Sequence, residues 1–236
     1  MKVKGSMLRF FCNSDILPDI DHILGTFWGL LKDGTLLQHS VASLFRVTVG
    51  FYLAVILSIP IGIFLGRCRP VYRTLDPVIQ FLRPISPLAW APFAILWFGI
   101  GDMPAIFIIF FASFFPLLIA AVKATSSIHP MYFQVAANLQ LTRWNSFWNI
   151  ILPAVIPNII LVIRVSMGMA WVVVVAAEMI AVKSGLGFLI IDGRNAMRMD
   201  RILVAIAAIG VIGLILDHIM QRLERIESVR WKLEQK

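Results

Sequence analysis

The stretch VASLFRVTVGFYLAVILSIPIGIFLG, residues 41–66, is apolar over a length that crosses the roughly 30 Å hydrocarbon core of a bilayer as an α-helix. Its charged residue, Arg46, lies near one end, where we expect the side chain to snorkel toward the membrane surface. The stretch therefore predicts a membrane-spanning helix.

The composition extends this prediction to the whole chain. Of the 236 residues, 59% are hydrophobic and 14% are charged, whereas a soluble domain has about 45–50% apolar and about 25% charged residues. We therefore expect an all-α integral membrane protein that contacts lipid. The net charge of +8 comes from clusters of Lys and Arg beside the apolar spans. Because this pattern is typical of membrane topology, we expect no nucleic-acid partner.

Motifs for enzymatic chemistry are missing from the sequence. It contains no Walker-type glycine loop and no dinucleotide fingerprint. Its two cysteines, Cys12 and Cys68, match no metal or redox spacing. We therefore expect no catalytic residue, no metal site and no cofactor in this chain, and a source of energy outside it.

Five spans are predicted, at about 41–66, 86–101, 105–122, 153–182 and 202–216. The loop after the first span is rich in arginine, which marks the cytoplasmic side of a membrane protein. Its arginines are Arg67, Arg69, Arg73 and Arg83. This orientation places the N-terminus outside and residues 134–151 in the cytoplasm.

The spans divide the chain into three parts. Residues 1–40 are predicted to form an extracytoplasmic segment, whose apolar stripe at helical spacing is typical of an interfacial helix. Residues 41–222 form the transmembrane domain, and residues 223–236 form a charged cytoplasmic tail. The sequence shows no internal repeat.

The cytoplasmic stretch QVAANLQLTRWNSFWNIILPAVIP, residues 134–157, is polar and aromatic where a plain loop would suffice. It predicts two short helices over about 134–151, with a turn near 141–143. Such a helix with aromatic residues on one side is suited to docking in the groove of a partner. An interfacial helix without a partner would show the same periodicity, so the residues alone leave both interpretations open.

The same stretch resembles the cytoplasmic coupling loop of inner-membrane permeases of binding-protein-dependent ABC importers. The family pattern is Glu-Ala-Ala, three residues, Gly, nine residues, Ile, one residue, Leu-Pro. Here Gln134 takes the Glu position, Ala136 the second Ala position and Gln140 the Gly position. The closing residues Ile150, Leu152 and Pro153 match at the family spacing. The departures at the Glu and Gly positions are shared by members for nitrate and bicarbonate.

The resemblance covers about residues 15–225. The segments SPLAW (residues 86–90) and AAEM (residues 176–179) are similar to the branch that imports nitrate, bicarbonate, aliphatic sulfonates or taurine. It implies a type I importer-like permease core of five helices with cytoplasmic coupling helices. Family members usually have six spans, so the first of these is expected to be missing here.

The resemblance also implies a function and a set of partners. The chain would be the transmembrane subunit of an ATP-driven importer in the bacterial inner membrane, moving a small anion by alternating access. It would pair with a second permease copy, two ATPase subunits that bind ATP and Mg, and a periplasmic binding protein. Arg143, Trp144 and Phe147 would sit in the ATPase groove. The alternative is a secondary transporter driven by an ion gradient, which is expected to show an inverted repeat.

Polar and amphipathic residues within the spans are candidates for the translocation path, because their hydroxyl and indole groups donate hydrogen bonds to an oxyanion without trapping it. They are Ser86, Trp90, Ser113, Ser166 and Trp171. Serines that bond the preceding helical turn and tryptophans that pack between helices would look the same.

Two charged residues lie within the fourth span. Glu178 is costly in lipid, so we expect it to accept a structural hydrogen bond or to pair with a cation such as Arg164 or Lys183. Arg164 lies roughly 20 Å from Glu178 along one helix, and we expect it to pair near the cytoplasmic face. Both are predicted to be structural intramembrane charges.

Overall fold

A computed structural model describes residues 19–224, and every regular element within that range is helical. In chain order the elements are α1 (Ile20–Lys32), α2 (Thr35–Arg67), α3 (Arg69–Leu82), a 3-10 turn (Pro87–Trp90), α4 (Ala91–Phe98), α5 (Asp102–Ser126), α6 (Pro130–Asn138), α7 (Arg143–Ser146), a π-helical turn (Phe147–Ile151), α8 (Leu152–Ala181), α9 (Leu186–Asn195) and α10 (Met199–Glu224).

Four helical runs are long and apolar enough to cross a membrane, namely α2, α5, the continuous run Trp144–Ala181 and α10. The pair formed by α3 and the segment Pro87–Phe98 passes the same test only together, and it is bent by 87°. Residues 19–224 therefore contain four candidate spans, or five if this bent pair counts as one. This confirms the all-α membrane class.

The segment predicted as the second span, 86–101, forms a four-residue 3-10 turn and an eight-residue α-helix. A full span needs about 20 helical residues. Pro87 is the first residue of the 3-10 turn, Pro92 is the second residue of α4, and Gly99 follows the end of α4 with a φ of +75°. These residues keep α4 shorter than a straight span needs to be.

The central contact of the fold joins α2 to α5. Small residues recur at every fourth position of α2 and form one seam, which consists of Gly50, Ala54, Ser58, Gly62 and Gly66. Such seams let helix backbones approach closely in a membrane. A Cβ atom placed on Gly62 would lie 2.5 Å from the Cβ atom of Ala121, so the seam has no spare room.

Helix α5 lies between α2 and α8, and its faces toward both are buried. Helices α9 and α10 pack together and against α8. The indole nitrogen of Trp171 in α8 donates to the carbonyl of Ile209 in α10 at 3.1 Å. Three core helices thus form a layer, and α9 and α10 close one side of it.

The N-terminal segment contains α1, whose apolar side chains at helical spacing are exposed. They are Ile20, Leu24, Trp28 and Leu31. Thr26 on another face of α1 donates to Asp200 in α10 at 2.8 Å. The interfacial position of α1 stays a prediction, and the structure shows that α1 is tied to α10 through Asp200. The rest of the predicted N-terminal segment (residues 1–18) and most of the predicted tail (residues 225–236) lie outside the described residues.

Candidate functional site

The predicted coupling region, residues 134–151, forms a short helical unit, which we call the cytoplasmic unit because the loop charges predict it on that side. Helix α6 ends at Asn138, a turn follows, and α7 begins at Arg143 and continues through the π-helical turn into α8. The hydroxyl oxygen of Thr142 accepts from the backbone N–H of Asn145 at 3.3 Å and so caps α7. The unit is therefore a direct helical extension of α8, which is long and apolar enough to span a membrane.

The turn between α6 and α7 depends on the conformation of Gln140. Its φ is +50°, in the left-handed region that side-chain-bearing residues rarely adopt. The backbone N–H of Leu141 donates to the carbonyl of Ala136 at 3.0 Å, which is the long hydrogen bond of a Schellman cap. Gln140 occupies the position of the Gly in the family pattern. The positive φ explains why the family pattern has glycine at this position, because glycine adopts positive φ without strain.

The exposed surface of the unit is aromatic. Trp144 and Trp148 lie one helical turn apart, their rings are 5.7 Å apart edge to face, and they are 68% and 50% exposed. The ring of Phe147 instead packs against the buried cluster around Ile151 and Val155. Trp148 was not among the predicted coupling residues, although its spacing from Trp144 places both on one helix face.

The other predicted coupling residues occupy different parts of the unit. Gln134 and Pro153 are exposed, Ile150 and Leu152 are half-buried, and Ala136 is buried. Arg143 is the first residue of α7. An apolar cavity of about 700 Å³ lies between α6 and the π-helical turn, and its walls include Met131, Tyr132, Leu139 and Ile150. The unit thus combines exposed indoles with an adjoining apolar groove.

The unit contacts the end of α2 and continues directly into α8. The guanidinium of Arg67, the last residue of α2, lies 4.3 Å from the ring centroid of Phe133 in α6. The π-helical turn precedes Pro153, which has no N–H to donate, and the N–H of Leu152 donates to the carbonyl of Phe147. The unit therefore follows the inner ends of α2 and α8.

A second constellation lies at the opposite end of the spans. We call it the outer polar cluster; it consists of Ser43, Arg46, Asp102, Glu178 and Ser184. Arg46 Nη1 donates to Glu178 Oε1 at 2.6 Å and to the carbonyl of Ser184 at 2.8 Å. Its Nε and Nη2 donate to Asp102 Oδ1 at 2.9 and 2.7 Å, and Nη2 also contacts the Ser184 hydroxyl. Every nitrogen of the guanidinium is engaged.

The carboxylate of Glu178 accepts further hydrogen bonds. Its Oε2 accepts from the Ser43 hydroxyl at 2.9 Å and from the backbone N–H of Gly187 at 3.0 Å. The backbone N–H of Leu186 donates to Ser43 Oγ, and that of Gly185 donates to His39 Nδ1, both at 2.9 Å. Ordered backbone of the loop before α9 is thus part of the outer polar cluster, which joins α2, α5, α8 and α9.

These contacts correct two predictions about charged residues. Arg46 does not snorkel to the surface, because it is 1% exposed and a fully buried carboxylate lies beside it. The cation that pairs with Glu178 is Arg46, and not Arg164 or Lys183. Arg164 Nε donates to Asp217 Oδ1 in α10 at 3.1 Å. Glu178 does accept the structural hydrogen bonds that we expected, but the named cations were wrong because spacing along one helix does not reveal which neighbouring helix faces a residue.

The predicted translocation residues do not converge on one point. Ser86 is exposed and begins the 3-10 turn, and the ring of Trp90 lies 5.3 Å from that of Phe111 on α5. Trp171 is 7% exposed and its N–H is taken by Ile209. Ser113 and Ser166 are fully buried within the protomer.

Three buried hydroxyls in the described part of the chain have no hydrogen-bond partner, namely those of Ser58, Ser113 and Ser166. They lie on α2, α5 and α8. Each is about 12 residues along its helix from a residue of the outer polar cluster, a rise of about 18 Å. The three core helices therefore carry unpaired hydroxyls at one common depth. The sequence had indicated two of these residues, Ser113 and Ser166, as candidates for the translocation path.

Comparisons with known proteins agree with this architecture. Residues 58–227 match the family described as the binding-protein-dependent transport system inner membrane component. The chain is 36% identical over 193 residues to the taurine transport system permease protein TauC of Escherichia coli, a match that covers 82% of this chain and 70% of that protein. It is 37% identical over 185 residues to the nitrate import permease protein NrtB of Synechocystis, covering 78% and 67% of the two chains.

The fold also matches a solved structure. A chain of the inward-facing MetNI methionine ABC transporter superposes with a TM-score of 0.67 at 15% identity, covering 78% of this chain and 92% of that one. At this identity the likeness concerns the fold, which is that of a type I importer. Taken with the family match, it shows that this chain belongs to the binding-protein-dependent transport system inner membrane component family, as a permease subunit of an ABC importer.

Proposed function

We propose that this permease subunit mediates ATP-driven import of a small anion, which is nitrate, nitrite or bicarbonate, or a sulfonate such as taurine, across the bacterial inner membrane. The observation that carries the proposal is the similarity to taurine and nitrate permeases over about four fifths of the chain. An aliphatic sulfonate permease protein of Bacillus subtilis is similar over 93% of the chain.

The proposed assembly contains two permease copies, two ATPase subunits that hold ATP and Mg, and a periplasmic binding protein. The cytoplasmic unit supports the contact with the ATPases. Exposed Trp144 and Trp148 are aromatic anchors of the kind that dominate protein interfaces. The apolar groove beside them offers a second contact.

Alternating access then follows from how the unit is built. Closure of the ATPases would push on α6 and α7, and α8 would carry the displacement into the membrane because it continues from α7 without a loop. The buried hydroxyls of Ser113 and Ser166 support a path for an oxyanion, since they lie without partners within α5 and α8. The outcome is release of the anion to the cytoplasm.

Reconstitution tests the proposal. The permease, its ATPases and its binding protein are incorporated into proteoliposomes, and uptake of labelled taurine, nitrate and bicarbonate is measured with and without ATP. We expect uptake that requires both ATP and the binding protein. Uptake driven by an ion gradient in the absence of ATP would instead establish a secondary transporter and contradict the proposal.

A matched pair of variants tests the coupling surface. Replacing both Trp144 and Trp148 with alanine removes the exposed indoles, so we expect loss of ATPase co-purification and of ATP-driven uptake. Trp97→Ala removes an indole that is 65% exposed on α4, away from the cytoplasmic unit. This control is expected to retain both activities. Unchanged association of the double variant would refute docking through this surface.

A further inference from the structure

Two cavities meet at the cytoplasmic end of α5. One, of about 560 Å³, lies between α5 and α8, and the other, of about 520 Å³, lies between α3 and α5. The same three residues, Arg83, Ile119 and Lys123, line both of them. The two cavities thus share a boundary that carries two cations.

The cations come from separate elements. Arg83 caps the C-terminal end of α3, and Lys123 lies in the last turn of α5. Both side chains are exposed. Within residues 19–224 neither forms an ion pair or a hydrogen bond through its side chain. The carboxylate that lines one of the cavities, Asp76, accepts from the side-chain amide of Gln80 at 2.6 Å.

The position of the cavities relates them to the membrane boundary. Lys123 lies about 31 Å along α5 from Asp102 of the outer polar cluster, and Asn158, which also lines the larger cavity, lies about 30 Å along α8 from Glu178. These distances match the roughly 30 Å hydrocarbon core. The larger cavity therefore opens at the inner boundary, between the two helices that carry Ser113 and Ser166.

We propose that Arg83 and Lys123 form an oxyanion-binding site at this boundary. Guanidinium and ammonium groups are the strongest hydrogen-bond donors to oxyanions, and they are worth more at a partly dehydrated membrane boundary than in open water. A sulfonate, nitrate or phosphate group carries several oxygens that accept such hydrogen bonds. The inference rests on the proposed function where the bound anion is taken to be the transported one. The headgroup of an anionic lipid offers the same chemistry and is the second possible source of the anion.

Binding measurements on the nucleotide-free permease–ATPase complex in detergent test the site. Nitrate, taurine and sulfate are titrated calorimetrically in chloride-free buffer. The variant R83Q/K123Q is expected to bind them at least about tenfold more weakly, since one charge-assisted hydrogen bond alone is worth about that factor. The control R69Q/R73Q removes two arginines that line neither cavity, and it is expected to bind like the wild type.

A second arm identifies the source of the anion. The complex is exchanged into nanodiscs of phosphatidylcholine with or without phosphatidylglycerol, and retained lipid is counted by native mass spectrometry. Retention of phosphatidylglycerol that R83Q/K123Q loses, without binding of the small anions, establishes the site as a lipid headgroup site. If R83Q/K123Q equals the wild type in both arms, the proposed site is refuted.

Uptake assays keep this inference separate from the proposed function. A wild-type complex that binds oxyanions through Arg83 and Lys123 but imports none with ATP would retain the site and contradict the proposed function. ATP-driven uptake that is normal in the wild type, together with equal binding by the wild type and R83Q/K123Q, would refute the site alone.

Discussion

Arg46 and Glu178 form a buried ion pair between α2 and α8, with 2.6 Å between Arg46 Nη1 and Glu178 Oε1. The two side chains are 2% and 0% exposed, so neither charge is hydrated by bulk water. Hydrogen bonds replace that hydration: Glu178 accepts from Ser43 and from the N–H of Gly187 in the first turn of α9, and Arg46 donates to the carbonyl of Ser184. The pair fixes the outer ends of two helices that are far apart in the sequence.

Removing one partner of this pair is expected to be costly. Arg46→Met leaves the Glu178 carboxylate buried without its cation, and breaking such a pair destabilises a protein by about 3–5 kcal/mol. The measurement is the free energy of unfolding of the purified permease, from titration with SDS in mixed micelles. Arg164→Met provides the control, because the Arg164–Asp217 pair is 32% and 51% exposed and water screens its two charges, so we expect a much smaller loss. Equal losses in the two variants would contradict the structural role of Arg46.

The loop before α9 is expected to tolerate no side chain at Gly185. Its φ is +103°, and a Cβ atom there would lie 2.2 Å from Glu178 Oε1. Gly185→Ala therefore displaces the carboxylate from Arg46 in addition to straining the backbone. Gly34→Ala is the matched control, since Gly34 has a φ of +72° and open space around it, so only the backbone cost of about 1–2 kcal/mol applies. We expect Gly185→Ala to lower the unfolding temperature clearly more than Gly34→Ala, and the reverse order would refute the contact.

The turn of the cytoplasmic unit gives a stabilising prediction. Gln140→Gly places glycine at a left-handed position that strains a residue with a side chain. We therefore expect a gain in unfolding free energy of about 1 kcal/mol. Gln134→Gly, the same change inside α6, is expected to cost about 1 kcal/mol because glycine is a poor helix former. Thermal unfolding of both variants reports the two signs. A loss of stability in Gln140→Gly would mean that its side chain has a role beyond the turn.

Glycine-to-alanine substitutions are expected to have opposite effects inside and outside the seam between α2 and α5. At Gly210 in α10 no atom lies within 4 Å of an added Cβ, and Gly210→Ala is expected to stabilise the helix by about 0.5–1 kcal/mol. At Gly62 an added Cβ would lie 2.8 Å from the carbonyl oxygen of Leu118, so Gly62→Ala forces the helices apart and costs about 1–3 kcal/mol. Unfolding titrations of the two variants compare these signs. Stabilisation by Gly62→Ala would show that the seam is loosely packed.

Hydropathy and loop charge sufficed for much of the fold, because a span must be apolar over a fixed length. The residues predicted at 105–122 and 153–182 lie within or close to the observed helices Asp102–Ser126 and Leu152–Ala181. Composition could not reveal that residues 86–101 form a 3-10 turn and a short helix that meet α3 at a sharp bend. Proline and glycine set the ends of this segment, whereas its hydropathy resembles that of a full span.

Contacts between helices were the part beyond prediction. The candidate coupling unit could be predicted from its spacing, because the residues that form it are close in the sequence. Arg46 and Glu178 are distant in the sequence, and the pairing depends on how α2 rotates against α8. An arginine inside an apolar span was a signal that a buried partner exists, and Ser43 one turn earlier on the same helix face was a further signal.

The unbroken helical run Trp144–Ala181 has a mechanical consequence. Its 38 residues span about 57 Å, from the exposed indole of Trp144 to a point one turn beyond Glu178. A rod of this length that is held at one end moves most at the other, and the π-helical turn interrupts its regular α-helical hydrogen bonding near the end that carries Trp144. Because Arg46 holds the end that carries Glu178, we expect a tilt of this helix to pivot there and to displace the end that carries Trp144 the most.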